Sequence, residues 1–227
     1  MNLTEQAKQA VGKKAAEMVE DGMLVGLGTG TTSACFIDSL IERCRQGLNI
    51  QAVATSQRSE KQALHGGINI IDVNSTTYLD ICFDGADEID PDKQMIKGGG
   101  GALLREKIVA SMSKKMIVMV DESKCVTKLG KFPLPIEIIP FGFPSTIEQI
   151  QALGFKGQIR TTGRDYKYIT DSGHYIYDIV LPSNEVTLQE VHRSLINIPG
   201  VIETGLFLGF ADSVIIGKAD GSIEITS

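Results

Sequence analysis

The sequence lacks any surplus of positive charge. Its 28 acidic and 22 basic residues give a formal charge of −6, which argues against nucleic acid or an anionic membrane as the main partner. An anionic ligand would therefore be bound locally, by a few lysines, hydroxyls or backbone N–H groups. No run approaches the roughly 18 apolar residues of a membrane span. Charged residues also interrupt the N-terminal segment, so no secretory signal is expected.

Cysteine and histidine are scarce and scattered. None of the four cysteines forms a CxxC pair, and 227 residues can bury a core without disulfides. We therefore expect four reduced thiols and a cytoplasmic protein. His65, His174 and His192 lie far apart in the sequence. No metal site is expected from them, because they lack the spacing of metal ligands.

The first 130 residues alternate short apolar runs with helical patterns. Such alternation predicts the α/β class, with a mostly parallel sheet and helices on both of its faces. The apolar runs that we interpret as strands are residues 23–28, 49–55, 68–73, 78–83 and 116–120.

The pattern changes near residue 131. Residues 131–144 hold four of the seven prolines, which indicates a boundary. Beyond it the order β-α-β-β-β-α-β predicts a smaller α+β domain, with a hairpin through the turn at 171–173. We therefore predict two domains, 1–130 together with 207–227, and 131–206. The second is expected to support oligomer contacts, because it holds none of the motifs described below.

A glycine- and hydroxyl-rich stretch, GLGTGTTS at 26–33, follows the first strand. Its glycines do not have the spacing of the dinucleotide fingerprint, and no GK[ST] follows as in a P-loop. Hydroxyls and free N–H groups at a helix start suit a phosphate or carboxylate. An ordinary Ser/Thr-capped helix is the alternative. The hydroxyl residues are Thr29, Thr31, Thr32 and Ser33.

Four carboxylates crowd residues 84–90, directly behind an apolar run. Asp84 follows a predicted strand at its carboxyl end, where open α/β sheets bind ligands. Carboxylates that accept hydrogen bonds from several hydroxyls are what sugar recognition requires. A metal site is the alternative, but the EF-hand spacing is absent. The other three acids are Asp87, Glu88 and Asp90, and exposure in a turn would also explain the last two.

A second glycine run, residues 98–101, precedes a helical pattern. Four glycines cost conformational entropy but let the backbone approach a ligand closely. Lys97 precedes the run, and Glu106 lies in the early turns of the helix. The i, i+4 spacing of Leu104, Ile108 and Met112 predicts an apolar stripe that excludes Glu106. Solvated surface charge is the alternative interpretation for Lys97 and Glu106.

Five motifs together closely resemble ribose-5-phosphate isomerase type A, in family order and over nearly the whole chain. The resemblance implies a cofactor-free interconversion of D-ribose 5-phosphate and D-ribulose 5-phosphate in the pentose phosphate pathway. It also implies a Rossmann-like domain into which a smaller α+β, ferredoxin-like domain is inserted. The motifs are TGTT (29–32), DGADE (84–88), KGGGGALLREK (97–107), SKCVTKLGKFPLP (123–135) and IPGVIETGLF (198–207).

The resemblance also implies site residues. Glu106 would be the proton-transferring base, with Asp84, Asp87 and Lys97 around the reacting end of the sugar. We favour Asp84 for ring opening, and Lys8 is a further candidate for the phosphate. Glu88 and Asp90 are interpreted as structural. The implied substrate-binding residues are Thr29, Gly30, Thr31, Thr32, Asp84, Gly85, Ala86, Asp87, Lys97, Gly98, Gly99, Gly100 and Lys124.

The expected partner is a small sugar phosphate, and the expected assembly is a homodimer or homotetramer. Two alternatives belong to other classes of protein. A non-catalytic sugar-phosphate sensor would resemble this fold, but the presence of Lys97 and Glu106 argues for chemistry. An aminosugar-phosphate deaminase of related architecture fits the motifs at 84–88 and 97–101 less well.

Overall fold

The computed structural model describes residues 3–163, 165–181 and 186–226. The chain packs as two compact units. The first unit comprises Met1–Ala86, Arg105–Cys125 and Phe210–Ser227, and the second comprises Asp87–Leu104 and Val126–Gly209.

The described residues form six α-helices and sixteen short strands. The helices are α1 (Leu3–Glu17), α2 (Thr31–Arg45), α3 (Gln57–His65), α4 (Leu103–Met112), α5 (Phe143–Ala152) and α6 (Leu188–Ile196). The first eight strands are β1 (Leu24–Leu27), β2 (Gln51–Ala54), β3 (Asn69–Ile70), β4 (Ile81–Asp84), β5 (Glu88–Ile89), β6 (Met95–Ile96), β7 (Met116–Asp121) and β8 (Leu134–Ile138). The others are β9 (Gly157–Ile159), β10 (Thr161–Thr162), β11 (Tyr166–Lys167), β12 (Tyr175–Ile179), β13 (Val201–Thr204), β14 (Leu206–Phe207), β15 (Ser213–Gly217) and β16 (Ile223–Thr226).

A seven-stranded sheet forms the centre of the first unit. Its strand order is β16-β15-β7-β4-β1-β2-β3, and its strands are parallel except for β16, which pairs antiparallel with β15. The predicted α/β class with a mostly parallel sheet is therefore confirmed. The last two strands, β15 and β16, return to this sheet.

Helices cover both faces of this sheet because successive residues of a strand point to opposite sides. Val25 and Leu27 of β1 are completely buried in a core to which α2 contributes Phe36. Helix α1 packs on α2 and on β7. On the opposite face, a Cβ added to Gly26 would lie only 2.7 Å from the Val109 side chain of α4. This glycine therefore lets α4 approach the sheet closely.

The second unit contains a four-stranded antiparallel sheet of order β13-β8-β12-β9. Along the chain, α5 follows β8 and α6 follows β12. This is the ferredoxin-like arrangement that we predicted. Ile136, Ile138 and Tyr177 of the sheet pack with Ile150 and Leu195 of the helices. Strands β5, β6 and β14 form a separate three-stranded antiparallel sheet.

The observed units differ from the predicted domains mainly at Asp87–Leu104, and also at residues 126–130 and 207–209, which belong to the second unit. Sequence order assigned Asp87–Leu104 to the larger domain, whereas it packs within the second unit. The reason is that β6 pairs with β14, and Ile96 is buried in the core of the second unit. Asp87, Lys97 and the second glycine run therefore belong to the smaller unit.

The predicted hairpin through residues 171–173 is only partly correct. A turn is present, because Gly173 N–H donates to the carbonyl of Thr170 at 2.9 Å. However, β11 pairs with β10 rather than with β12. Strand β12 already has neighbours on both edges, β8 and β9, and therefore cannot accept a third.

Candidate active site

The first glycine loop is held against Asp84. A Cβ on Gly28 would lie 2.6 Å from the Asp84 Cα atom and even closer to its carboxyl group, so only glycine fits there. The Thr29 N–H donates to Asp84 Oδ1 at 3.0 Å, and the Thr29 hydroxyl contacts the Thr55 hydroxyl at 2.7 Å. These contacts fix the loop at the carboxyl end of β1.

Helix α2 begins behind this loop without a side-chain cap. Gly30 is its N-cap with φ 115°, a conformation that favours glycine. No acidic residue occupies the first turn. The alternative of an ordinary Ser/Thr-capped helix is therefore wrong. Because the first N–H groups of a helix lack intrahelical partners, the start of this 15-residue helix, at Thr31 and Thr32, suits a negatively charged group.

Asp84 lies at the carboxyl end of β4, whose sheet neighbours are β1 and β7. Its side chain is almost fully buried, and only 3% of the residue is exposed. Besides Thr29, the Gly85 N–H donates to Oδ1 at 2.8 Å and the Ser33 hydroxyl at 3.4 Å. These donors orient the carboxylate at the edge where ligands bind in open α/β sheets.

Glu106 lies in the first turn of α4 and is 4% exposed. The predicted apolar stripe is wrong, because Ile108 is 45% exposed. The buried face instead includes Leu103 and Val109, each three residues from Glu106. Glu106 therefore points into the protein with the apolar side chains, near the helix end that interacts favourably with negative charge.

Two further candidates of the first unit lie on neighbouring elements. Lys124 ends a 3-10 helix, Glu122–Lys124, directly after β7. It is half-buried, and β7 pairs with β4, so Lys124 follows the same edge of the sheet as Asp84. Lys8 is half-buried on α1, and its charge opposes the burial that raises the pKa of the Cys35 thiol on α2.

The remaining candidates belong to the second unit. Lys97 follows β6 and is 2% exposed. Its N–H donates to the Gly205 carbonyl at 2.9 Å, and its ammonium lies 5.3 Å from the centre of the Phe207 ring. Asp87 Oδ2 accepts the Gly99 N–H at 2.7 Å, so this carboxylate and the glycine run are directly linked.

Glu88 and Asp90, the last two acids of residues 84–90, accept hydrogen bonds from backbone N–H groups. The Glu88 carboxylate is buried and accepts N–H bonds from Gly130 at 2.8 Å and Phe132 at 2.6 Å. Asp90 Oδ1 accepts the Gln94 N–H at 2.9 Å in a tight turn. Burial raises the pKa of Asp90. Their contacts support the structural interpretation of both residues.

The structure also reveals residues that the sequence did not indicate. The Arg160 guanidinium donates to the carbonyls of Gly98 and Gly99, and the Tyr168 hydroxyl donates to that of Gly100. Both residues lie about 60 or more positions along the chain from the glycine run. No local spacing could have identified them.

The described ranges contain neither a metal-binding cluster nor a membrane-spanning helix. Across residues 3–163, 165–181 and 186–226, no group of three or more His, Cys, Asp or Glu side chains is arranged to hold a metal ion. None of the helices in those same ranges is long and apolar enough to cross a membrane.

Each unit carries its own set of candidate residues. An open α/β sheet carries a buried carboxylate and an anion-binding helix end on one edge. Buried Glu106 belongs to this first unit, whereas buried Lys97 and the glycine-rich segment belong to the second unit. Groups of these kinds are typical of enzymes that carry out acid–base chemistry on anionic, hydroxylated small molecules.

Comparison with known proteins identifies the family. A family model described as ribose 5-phosphate isomerase A (phosphoriboisomerase A) matches residues 51–221. Ribose-5-phosphate isomerase A of Protochlamydia amoebophila is 49% identical over 98% of this chain and 96% of its own length. The Methanocaldococcus jannaschii ribose 5-phosphate isomerase A structure matches with a TM-score of 0.92 and 38% identity over 99% of both chains. A D-ribose-5-phosphate isomerase in complex with phospho-erythronic acid matches with a TM-score of 0.93 and 38% identity over both full chains. The chain belongs to the ribose-5-phosphate isomerase A family.

Proposed function

We propose that this chain interconverts D-ribose 5-phosphate and D-ribulose 5-phosphate through a 1,2-enediolate, in the non-oxidative branch of the pentose phosphate pathway. The observation that carries the proposal is the buried position of Glu106 on α4, five residues beyond the last glycine of the second run. Family membership supports the same reaction. A similar isomerase was solved in complex with phospho-erythronic acid. Its carboxylate spreads a negative charge over two neighbouring oxygens, and an enediolate likewise carries negative charge beside a second oxygen.

Glu106 is the proton-transferring base of this proposal. It removes the proton from C2 of the open aldose, and the released electron pair forms the C1–C2 double bond while the C1 oxygen becomes negatively charged. Return of the same proton to C1, with transfer of the hydroxyl proton from the C2 oxygen to the C1 oxygen, gives the ketose. One carboxylate can serve both carbons, because they are adjacent. General acid–base catalysis of this kind contributes about 10²–10⁴-fold to a rate.

Lys97 stabilises the enediolate. The charge of the intermediate is concentrated on an oxygen, and a fixed cation stabilises it best where water is excluded. With 2% exposure and a contact to the Phe207 ring, Lys97 is such a cation. Asp87 binds sugar hydroxyls, supported by the Gly99 N–H that orients its carboxylate.

Asp84 opens the furanose ring. Ring opening moves a proton from the C1 hydroxyl to the ring oxygen. One carboxylate can do this by accepting the proton of the C1 hydroxyl and donating a proton to the ring oxygen. The donors that orient Oδ1 support a fixed position for this group. The remaining sugar hydroxyls and the phosphate bind at the N-terminus of α2 and at Lys124. The side-chain hydroxyls there belong to Thr29, Thr31 and Thr32.

The assembly and location form a further part of the proposal. We propose a cofactor-free homodimer or homotetramer, with the segment 131–206 contributing oligomer contacts. A cytoplasmic location is supported by the cysteines, since Cys35, Cys44, Cys82 and Cys125 are all free thiols.

Direct incubation with ribose 5-phosphate, followed by ketose formation, tests the activity. Glu106→Gln should lower turnover by about 10²–10⁴-fold while sugar-phosphate binding and the fold remain. The matched control is Glu148→Gln, which changes an exposed glutamate on α5 and should leave turnover unchanged. Activity should also persist after exhaustive chelation with EDTA. Binding without conversion by the wild-type chain would favour a sugar-phosphate sensor, and a tenth of normal turnover in Glu106→Gln would exclude Glu106 as the sole base.

A further inference from the structure

The second glycine run is held by an arginine from the neighbouring sheet of the same unit. Arg160 follows β9, and its Nη1 atom donates to the Gly98 carbonyl at 2.8 Å and the Gly99 carbonyl at 3.1 Å. The side chain is only 14% exposed. A guanidinium in such a site donates in a fixed planar geometry, which restricts the two peptide groups that it contacts.

Asp178 of β12 orients this guanidinium. Its two carboxylate oxygens accept from Nε at 2.8 Å and from Nη2 at 2.5 Å. The Asp178 side chain is 16% exposed, so the pair is largely withdrawn from water. A bidentate pair of this kind fixes both partners. Only Nη1 of Arg160 is then directed at the glycine run.

A third carbonyl of the run is held by Tyr168. The Tyr168 hydroxyl donates to the Gly100 carbonyl at 3.1 Å, and its ring centre lies 5.9 Å from the Arg160 guanidinium carbon. Gly101 has φ 80°, and a Cβ there would lie 2.2 Å from the Tyr168 hydroxyl. Three successive carbonyls, those of Gly98, Gly99 and Gly100, therefore accept side-chain donors of this one unit.

These contacts determine where the amide groups of the run point. In a trans peptide the C=O and N–H point in opposite directions. Because Arg160 holds the Gly98 and Gly99 carbonyls, the N–H groups of Gly99 and Gly100 point away from it. The Gly99 N–H indeed donates to Asp87 at 2.7 Å. Arg160 thus acts on Asp87 through a single peptide group.

We propose that Arg160, oriented by Asp178, is a positioning residue for substrate binding. It fixes the amide groups of the glycine run and the carboxylate of Asp87 in the orientation that receives the sugar hydroxyls. Without it, the Gly98 and Gly99 carbonyls would lose their side-chain donor, and the glycine run would sample more backbone conformations, from which binding would have to select one. This inference rests on the proposed function, because Asp87 and the run are substrate-binding residues only there.

The test compares Arg160→Gln with Arg193→Gln, which changes an exposed arginine on α6 of the same unit. Arg160→Gln should raise KM for ribose 5-phosphate by about 10-fold or more, with a smaller change in kcat, because ground-state positioning is lost. Arg193→Gln should change neither. In an Arg160→Ala chain, added guanidinium ion at millimolar concentration should restore part of kcat/KM without raising the melting temperature. A purely structural role would not give this rescue.

Tyr168→Phe provides a milder variant if both Arg160 changes prevent folding. It removes one donor to Gly100 and leaves Arg160 in place, so we expect KM to rise about threefold. Dissociation constants for ribose 5-phosphate, measured by calorimetry for each folded variant, separate this inference from the proposed function. Conversion by the wild-type chain with unchanged KM and affinity in the variants would overturn the positioning role alone. Binding without conversion would refute the isomerase, while weaker binding by the variants would still support positioning. Absence of binding by the wild-type chain would overturn both.

Discussion

Asp84→Asn separates ring opening from the rest of the reaction. Asparagine keeps the shape of the side chain and one carbonyl oxygen that can replace Oδ1, so the donors from Thr29 and Gly85 can remain paired. The bonds lose the charge of the acceptor, which weakens each by about 1 kcal/mol. Two N–H bonds then predict a loss of roughly 2 kcal/mol in the free energy of unfolding. For a chain of this size that lowers the melting temperature by about 4–8 °C, so the variant should fold.

The amide cannot exchange a proton as the carboxyl group does. Asp84→Asn should therefore slow the reaction of closed ribose 5-phosphate by about 10²-fold or more. The reaction that starts from ribulose 5-phosphate should be slowed much less when product closure is not rate-limiting. That ketose cannot close a five-membered ring through its phosphorylated C5 oxygen and is already open. Asp87→Asn should weaken both directions alike and raise KM at least as much as it lowers kcat.

Equilibrium restricts steady-state rates, so the comparison belongs in pre-steady-state traces. Loss of a deuterium label from C2 of the aldose or C1 of the ketose reports enediolate formation from each side. The Asp84→Asn traces should differ strongly between the two substrates, and those of Asp87→Asn should not. Equal slowing of label loss from both substrates by Asp84→Asn would refute the ring-opening assignment and leave Asp84 as a binding carboxylate.

Two predictions concern stability. Glu88→Gln should lower the free energy of unfolding by about 2–4 kcal/mol, because an amide can accept only one of the two N–H bonds now made to the carboxylate oxygens. Asp92→Asn, which changes an exposed residue, should alter the free energy of unfolding little. Urea unfolding of both variants measures this difference, and equal unfolding midpoints would contradict it. Burial raises the pKa of Glu137 above its ordinary 4.5, against the hydrogen bonds from His174 and Thr170. The folded state thus binds the proton more tightly, so the stability of the wild type relative to Glu137→Gln should fall as pH rises from 4.5 through the raised pKa. Parallel stability curves for the two chains in urea titrations between pH 4.5 and 7 would refute this.

Local sequence patterns predicted the elements of the first unit because its strands are short and separated by helices, and its central strands β1, β4 and β7 are almost entirely buried. Asp84 could be placed from its position behind the run that became β4. The buried face of α4 could not be predicted, since the consecutive charged residues Arg105, Glu106 and Lys107 point in different directions around this 10-residue helix and weaken its amphipathic pattern. Burial of Glu106 there depends on how the helix meets its neighbours rather than on its own spacing.

Long-range contacts account for the other differences. Strand β11 is as compatible with β12 as with β10 in sequence, and only the occupied edges of β12 decide the pairing. No local pattern distinguishes Arg160, and the Gly98 carbonyl to which it donates lies 62 positions away. Hydrogen bonds to backbone carbonyls leave no sequence signature at the acceptor, particularly where every acceptor is a glycine.

The division of the chain has a consequence for recombination between relatives. The backbone passes from one unit to the other at residues 86–87, 104–105, 125–126 and 209–210. A chimaera that exchanges only residues 131–206 would combine the Arg160–Asp178 pair of one parent with the glycine run of another. Crossover points that exchange Asp87–Leu104 together with Val126–Gly209 keep the carbonyls of the glycine run and their donors, Arg160 and Tyr168, from the same parent. Libraries with crossovers at these unit boundaries should therefore contain a larger fraction of functional chains than libraries that exchange residues 131–206 alone.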